Sequence, residues 1–560
     1  MVKQQNISLS EVFLFSALGL VVLVVAPYSV IDAVTLPKLS ILGIHGFLAL
    51  GAIGFTISRM QLKENRTIFQ ITSLFILDLC IILFTSGRNL NEGFYGIFGR
   101  NTGFLTYFSF TLLMLLAVLS SSKNLLSRFR YFLLFLGTTL TIYGFIQYLG
   151  LDPFPFENTS SSQVFGTFGN PNFQSSFLGI FAAYFFIFCF VPDVSKWLRT
   201  MSFSVVALSL IGIFQTKSWQ GYFNFSIGAF IGLVLLVITL RKKILSIILI
   251  SIGCASTFLL GLGLLNFGPL SGILAKSSLV ARRIYWDTAI RITIDRPISG
   301  VGLDGYGDWF RRGRSAESIN ANGNFLSDAA HSVPLDIASG GGLPLLLLYL
   351  LIILVTIVSI ARVVLTQTQI DLNFIALCSG WVAYQAQSLI SINQLGLGVI
   401  GWVMTGLIIG YEKSPRLKDH SESNSRADNT SSSMYTSVKA KGNRWRASLL
   451  LVSLIIGVAV SIPPFTSASK FYNGLKSSDA RIVYSNAYLK PLEQRRMIIS
   501  ANILERNRFY KESLEITRSA TQAFPDSFEA WTFLNTLSFA TTEDKEEVAR
   551  ELRRLNPYLP

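Results

Sequence analysis

Histidine is almost missing from this chain, with three in 560 residues: His45, His331 and His420. Cysteine is nearly as scarce. Cys80, Cys189, Cys254 and Cys378 each fall inside an apolar run, where each reads as a small buried hydrophobe, and they show neither metal spacing nor a disulfide framework. There is no Asp-x-Asp, no His-x-x-x-His and no His-Glu pair, so a metal-bound nucleotide donor is not suggested and no metal site or cofactor is expected. Charge is thin as well, at 14% of residues. Together with 51% hydrophobic residues and a mean hydropathy of +0.50, this excludes a soluble protein.

What is abundant is apolar length. Runs of about 20 residues, enough for a helix to cross a bilayer, recur along most of the chain. Candidate spans lie near 11–31, 38–57, 68–86, 103–120, 131–149, 173–191, 200–215, 221–240, 244–264, 343–361, 373–390, 396–411 and 447–462. The expected fold is therefore all-α, a polytopic membrane helical bundle of about 12–13 transmembrane helices. The first run follows a single early lysine, lacks a small-x-small cleavage site and leads at once into the next span, so it reads as a retained helix. Four units are expected: a transmembrane domain over 1–411 with a large outer loop at 265–342, a polar Ser-rich cytoplasmic linker at 412–446 that holds His420, a last transmembrane helix at 447–462, and a helical C-terminal domain over 463–560.

Orientation follows from the basic loops, because Lys and Arg accumulate on the cytoplasmic side. Arg59, Lys63 and Arg66 follow the second span, Lys123, Arg128 and Arg130 the fourth, Lys196 and Arg199 the sixth, and Arg241, Lys242 and Lys243 the eighth. Every even-numbered loop is basic. The amino terminus is thus expected inside, and the loop at 265–342 and the C-terminal domain outside. The long outer loop nonetheless holds Arg282, Arg283, Arg291, Arg296, Arg311, Arg312 and Arg314. Long loops escape the positive-inside rule, but cations beside lipid still need water or an anion. For any one of these arginines the alternative is a salt bridge to Asp287, Asp295, Asp304 or Asp308. For the cluster as a whole, an anionic ligand at the membrane surface is the stronger reading.

Three ordered patterns sit in this loop: Arg282-x-x-x-Trp286, Pro297-x-x-Gly300-x-Gly302, and Asp328 three residues before His331, with Gly340, Gly341 and Gly342 behind. Together they resemble the core of the O-antigen ligase and polymerase superfamily, over about residues 80–410. Arg100 and Gly103 match that family's Arg-x-x-Gly, and Gly166, Thr167, Gly169, Asn170, Pro171 and Asn172 its Gly-Thr-x-Gly-Asn-Pro-Asn. The chain departs from the family where Ser332 follows the His, where Ser339 precedes the glycines, and where Lys217-Ser218-Trp219 stands in place of Ser-Arg. The resemblance implies a glycosyltransferase that moves a polyprenyl-pyrophosphate-linked glycan to a lipid, glycan or protein acceptor at the outer face of the bacterial cytoplasmic membrane. A repeat-unit polymerase or a protein O-oligosaccharyltransferase would use the same chemistry.

Such a donor is already activated, so two roles suffice: stabilising the departing pyrophosphate and accepting the acceptor's proton. Arg282 is the candidate for the first, through its planar fork, and His331 for the second. Arg283, Arg100, Arg88, Lys217, Asn170, Asn172 and Asp328 are candidate substrate contacts. For Asn170-Pro171 a turn at a helix start is an equal reading, and either Asp328 or Asp336 is a candidate to orient the imidazole. His45, between Gly43 and Gly46, reads at least as well as a packed helix crossing. A transporter would show charges within spans and internal repeats, and a non-catalytic scaffold would make the Arg and His loop dispensable. Beyond 463, helical periodicity and Phe524-Pro525, echoed by Asn556-Pro557, resemble a tetratricopeptide unit, one full and one partial, expected to pack on the loops above it.

Overall fold

The computed structural model describes residues 7–120, 122, 124–154, 164–191, 194–264, 277–320, 326–367, 370–414, 444–477 and 479–558. His420, most of the linker, and residues 265–276 and 321–325 of the expected outer loop lie outside them. Among the described residues the chain is helical throughout, without strands. In chain order the helices are α1 (Leu9–Leu23), α2 (Thr35–Thr56), α3 (Arg59–Glu64), α4 (Arg66–Thr85), α5 (Leu90–Tyr95), α6 (Phe104–Leu119), α7 (Leu125–Tyr148), α8 (Pro171–Cys189), α9 (Lys196–Gln215), α10 (Gln220–Thr239) and α11 (Lys243–Leu264). They continue with α12 (Ser277–Asp295), α13 (Tyr306–Gly313), α14 (Ala316–Asn320), α15 (Val333–Thr366), α16 (Leu372–Ile390), α17 (Leu395–Glu412), α18 (Arg444–Ser461), α19 (Pro463–Lys476), α20 (Ala480–Ala487), α21 (Gln494–Arg506), α22 (Tyr510–Ala523), α23 (Phe528–Thr536) and α24 (Thr542–Leu555).

Each expected span falls on a helix. Among the described residues nine helical segments are long and apolar enough to cross a membrane, and Leu9–Leu23, Phe104–Leu119 and Lys243–Ser256 are shorter apolar helices. The protein is a multi-pass membrane bundle. One expected boundary needs correction. The first run does not stay helical to residue 31, because Lys38 reaches from α2 and donates to the carbonyls of Val21 (2.8 Å) and Val22 (2.6 Å), satisfying the end of α1 just before Pro27. The span expected at 343–361 starts where expected, directly after the break at Gly342, and a short helical segment from Val333 precedes it in the stretch read as loop, with Pro334 in its first turn and Asp336 favouring its amino end.

The centre of the bundle is α8 and α17, whose side chains are almost all buried, surrounded by α2, α6, α10 and α16. Small residues let these helices approach closely: a Cβ on Gly406 of α17 would stand 2.2 Å from the Met114 carbonyl of α6. His45 is a satisfied crossing, its Nε2 3.2 Å from Ser16 Oγ and its Nδ1 2.8 Å from the Ile41 carbonyl oxygen. Cys189 and Cys378 are buried as expected, Cys80 is half-buried, and Cys254 is exposed on the outer surface of α11.

The loops before α2, α6, α8 and α15 gather at one end of the bundle. Thr35 Oγ1 donates to the Gly99 carbonyl (3.3 Å), and Thr167 Oγ1 donates to that of Val22 (2.7 Å). The C-terminal helices α20–α24 dock on the same end, holding two small cores of their own around Ala501, Ile516 and Ala520 and around Trp531, Leu534 and Val548. Three polar ties fix them there: Asn89 Nδ2 donates to the Ala523 carbonyl (2.9 Å), Arg312 pairs with Asp526 (2.8 Å), and Arg314 Nη2 donates to Asn556 Oδ1 (3.5 Å). If the basic loops face the cytoplasm, a cysteine at exposed Gln522 in a cysteine-free background labels from outside with an impermeant maleimide and one at exposed Lys63 does not. The reverse pattern of labelling would invert the topology.

Candidate functional site

At the loop end of the bundle, the Pro297–Gly302 turn and the glycines of α15 lock together. Gly342 breaks the helix with φ +75, and a Cβ there would lie 2.5 Å from the Ile298 carbonyl oxygen. Gly300, at φ +57, faces the Gly340 backbone, where a Cβ would lie 2.4 Å from the carbonyl carbon. Leu343 N donates to the Pro297 carbonyl (2.7 Å) and Val301 N to that of Ser339 (2.9 Å), so two of the motif's patterns form one backbone joint. That joint carries Asp304 on one arm and His331 on the other.

Arg100 fills the space between the arms. Its guanidinium is buried, with Nε 3.3 Å from Asp304, Nη1 3.5 Å from Asp328 and Nη2 3.8 Å from Asp336, and Nη1 also donates to the Asp328 carbonyl (2.9 Å). Burial alone would pull this guanidinium down, but the carboxylates outweigh it and hold it above its usual range. Asp304 is equally committed, accepting from the Ile97 and Thr102 amides (2.8 and 3.2 Å) and from Thr102 Oγ1 (2.9 Å). Arg88 is held by Glu92 and Asp308, both at 2.9 Å. For Arg88 and Arg100 the salt-bridge reading is therefore the one seen. Their N–H groups fasten the loops rather than facing open space.

Arg282 differs. It lies half-buried on α12, and among the described residues it has neither an ion pair nor a hydrogen bond. Burial lowers its guanidinium below the usual range, opposed by Tyr285. Tyr285, one helical turn along, stacks on His331 with ring centroids 5.2 Å apart and planes at 27°. His331 adopts φ +52, a left-handed conformation uncommon outside glycine. Its ring nitrogens make no hydrogen bond among the described residues. Neither Asp328 nor Asp336 orients the ring, against the expectation: Asp328 faces Arg100, and Asp336 Oδ1 accepts from the Ala330 amide (2.7 Å). Burial first, then Arg100 and Arg282, push the imidazole down to about 4, opposed by Asp328.

His331 and Asp328 line a cavity of about 510 Å³ between the loop block and the C-terminal helices, with Asp308 and Arg311 on one wall and Gln494 and Arg495 on the other. Sequence reasoning missed Tyr285 and this second wall. Tyr285 could have been found from its one-turn spacing to Arg282, whereas nothing local in the sequence signals Gln494 or Arg495. Arg283 is half-buried beside Arg282. The remaining candidates form a separate cluster. Asn170 Oδ1 caps α8 by accepting from the Asn172 amide (2.8 Å), which is the helix-start reading, Asn172 Oδ1 accepts from Ser218 Oγ (2.7 Å), and Lys217 is exposed at φ +58. No hydrogen bond, ion pair or ring contact joins these three to Arg282 or His331 among the described residues.

The fold and this site define a multi-pass membrane protein with a cationic, histidine-bearing centre where two loop arms and a kinked helix meet. Residues 203–350 match the family described as Wzy_C, O-antigen ligase, which supports the O-antigen ligase superfamily for this chain and a glycosyltransferase of the ligase or polymerase type. The matched stretch is shorter than the resemblance over 80–410; it includes Lys217, Arg282, Arg283, Asp328 and His331. It ends well before 463 and does not bear on the tetratricopeptide resemblance of the C-terminal helices. No curated protein matches the chain.

Removing Asp304 breaks a buried charge cluster and strands the Ile97 and Thr102 amides. In detergent, Asp304→Ala is expected to lower unfolding free energy by about 3 kcal/mol, against about 0.5 kcal/mol or less for Asp287→Ala, whose ion pair with Arg291 is exposed. Equal thermal shifts for the two, read by tryptophan fluorescence, would remove the clamp from the account.

Proposed function

We propose that the protein transfers a polyprenyl-pyrophosphate-linked glycan to an acceptor hydroxyl at the outer face of the cytoplasmic membrane, as an O-antigen ligase does. The observation that supports this most directly is Arg282, a half-buried guanidinium with no carboxylate partner among the described residues, set beside an imidazole that burial keeps neutral at physiological pH. A cation left unpaired in a partly buried site is costly unless an anion arrives. A diphosphate supplies two negative groups, and a guanidinium fork meets its oxygens with two parallel donors. In the transfer, the acceptor oxygen bonds to the anomeric carbon while the bond from that carbon to the diphosphate oxygen breaks. The bonding pair leaves with the diphosphate, against Arg282, and the acceptor's proton passes to a His331 ring nitrogen.

Arg88 and Arg100 take a positioning role in this scheme, and Arg100 adds positive charge near His331 while its own N–H groups stay on carboxylates. Arg283 and Asp328 remain candidate contacts near the reacting groups; Lys217, Asn170 and Asn172 belong, if they bind substrate, to a more remote part of the donor glycan. The low affinity of His331 for protons also has a use. A bound diphosphate offsets Arg282 and Arg100, so the imidazole becomes a stronger base when the donor is in place. A polymerase or a protein O-oligosaccharyltransferase differs from this reading in the acceptor alone.

Arg282→Ala and His331→Ala are each expected to lower transfer by about 10²–10⁴ with insertion unchanged, and Arg282→Lys to remain poor because an ammonium cannot make the forked contact. Chelators should change little. Wild-type transfer by His331→Ala in liposomes with lipid-linked donor would remove the base assignment. A base must be neutral, so activity falls as pH drops through its pKa. The acid limb of kcat/KM, set by the free enzyme, should lie below the ordinary histidine value, and the limb of kcat, set by the donor complex, at higher pH. Coincident limbs at the ordinary histidine value would count against the depressed imidazole.

A further inference from the structure

The cavity at His331 does not end at the loop block. A second cavity of about 530 Å³ lies between α21 and α23, and the two share Asp308, Arg311, Gln494 and Glu529 as a common wall. Each is of the size that takes a small ligand; joined, they make a trough from the imidazole out along the C-terminal helices. Midway, Arg311 lies 4.0 Å over the Phe528 ring and has no ion pair or hydrogen bond among the described residues. The side-chain amides of Gln494 and Asn502 are likewise without hydrogen bonds there, and Thr532 and Thr536 face the trough from exposed positions on α23.

We propose that this trough is the acceptor site and that its occupant is a carbohydrate chain of several sugars, its reacting hydroxyl at His331 and its remaining units along α21 and α23. The proposal rests on the transfer reading above for the identity of the reacting end. The lining decides the occupant. The side-chain amides of Gln494 and Asn502 offer donors and acceptors, the Glu529 carboxylate offers acceptors, and the Thr532 and Thr536 hydroxyls, which donate to the Phe528 and Phe533 carbonyls (2.7 Å each), keep lone pairs for sugar hydroxyls. An acyl chain would leave these groups unsatisfied. An amphipathic peptide helix would need a row of apolar anchors, where the outer trough has Ile498, Phe528 and Phe533, with Phe528 already covered by Arg311.

The test uses the full-length protein in membranes of cells that make the glycan, with the photo-reactive p-benzoylphenylalanine placed at Thr536 and, as control, at exposed Glu547 on α24. Irradiation is expected to give carbohydrate-positive adducts at position 536 and none at 547. Thr532→Trp, which fills the groove from an exposed position, should abolish them. The same adducts should form in a His331→Ala chain, because binding along the trough does not require transfer. The inference therefore stands or falls apart from the assignment of the base. An added mass that proves to be polypeptide would overturn the carbohydrate occupant. Equal labelling at the two positions, or none at 536, would overturn the trough itself.

Discussion

The loops around His331 hang on one buried guanidinium. Arg100 faces three carboxylates from two segments distant in sequence, Asp304 on one and Asp328 and Asp336 on the other. Arginine can do this because its donors are fixed in a plane and its charge is not lost on burial. Asp304 in turn takes two amides and a hydroxyl of the loop that carries Arg100, and Asp336 takes the amide next to His331. The clamp over-determines the backbone around His331, which is the condition for a non-glycine residue to persist in a left-handed conformation.

The arginines divide by what faces them. Arg88, Arg100 and Arg312 have carboxylates within ion-pair distance. Arg282 has none. A fully neutralised block would bind anions weakly, and a wholly unpaired one would not fold against an apolar bundle. Pairing Arg88, Arg100 and Arg312 for structure and leaving Arg282 gives a site that is stable when empty yet retains a positive field at His331. Burial first and that field second keep the imidazole neutral, and an anion that offsets the field makes it a stronger base.

Hydropathy located the helices because the bilayer itself imposes length and apolar composition on them. It failed where another force intervened: at residues 24–31, where Lys38 ends α1 early, and at 333–342, where a polar, glycine-rich turn of α15 is buried against the Pro297–Gly302 backbone and looks like loop. The arginine block and His331 were legible from composition and order. Their partners were not, apart from pairs one helical turn apart such as Arg88 with Glu92 and Arg291 with Asp287. The pairing of Arg100 with Asp304 depends on the fold bringing two remote loops together. Docking of the C-terminal helices on the loop end was expected, but no local pattern marks which of their residues face His331.

The C-terminal helices contribute more than a cover, because of how they are attached. Five short helices share two small cores, so docking on the loop end adds to what holds them in order. The polar ties to Asn89, Arg312 and Arg314 all meet the Ala523–Asp526 turn and Asn556, at one edge of the domain. Arg495, over the Phe98 ring at 4.8 Å, meets the arginine clamp's own loop at the other edge. Between these edges Gln494 and Glu529 face Asp308 and Arg311 across open space. The trough is thus spanned rather than filled, and its width follows from the same ion pairs that order the helices. Docking and the shape of the trough are one equilibrium: whatever loosens Arg312 from Asp526 alters the space beside His331, even though it touches neither His331 nor Arg282.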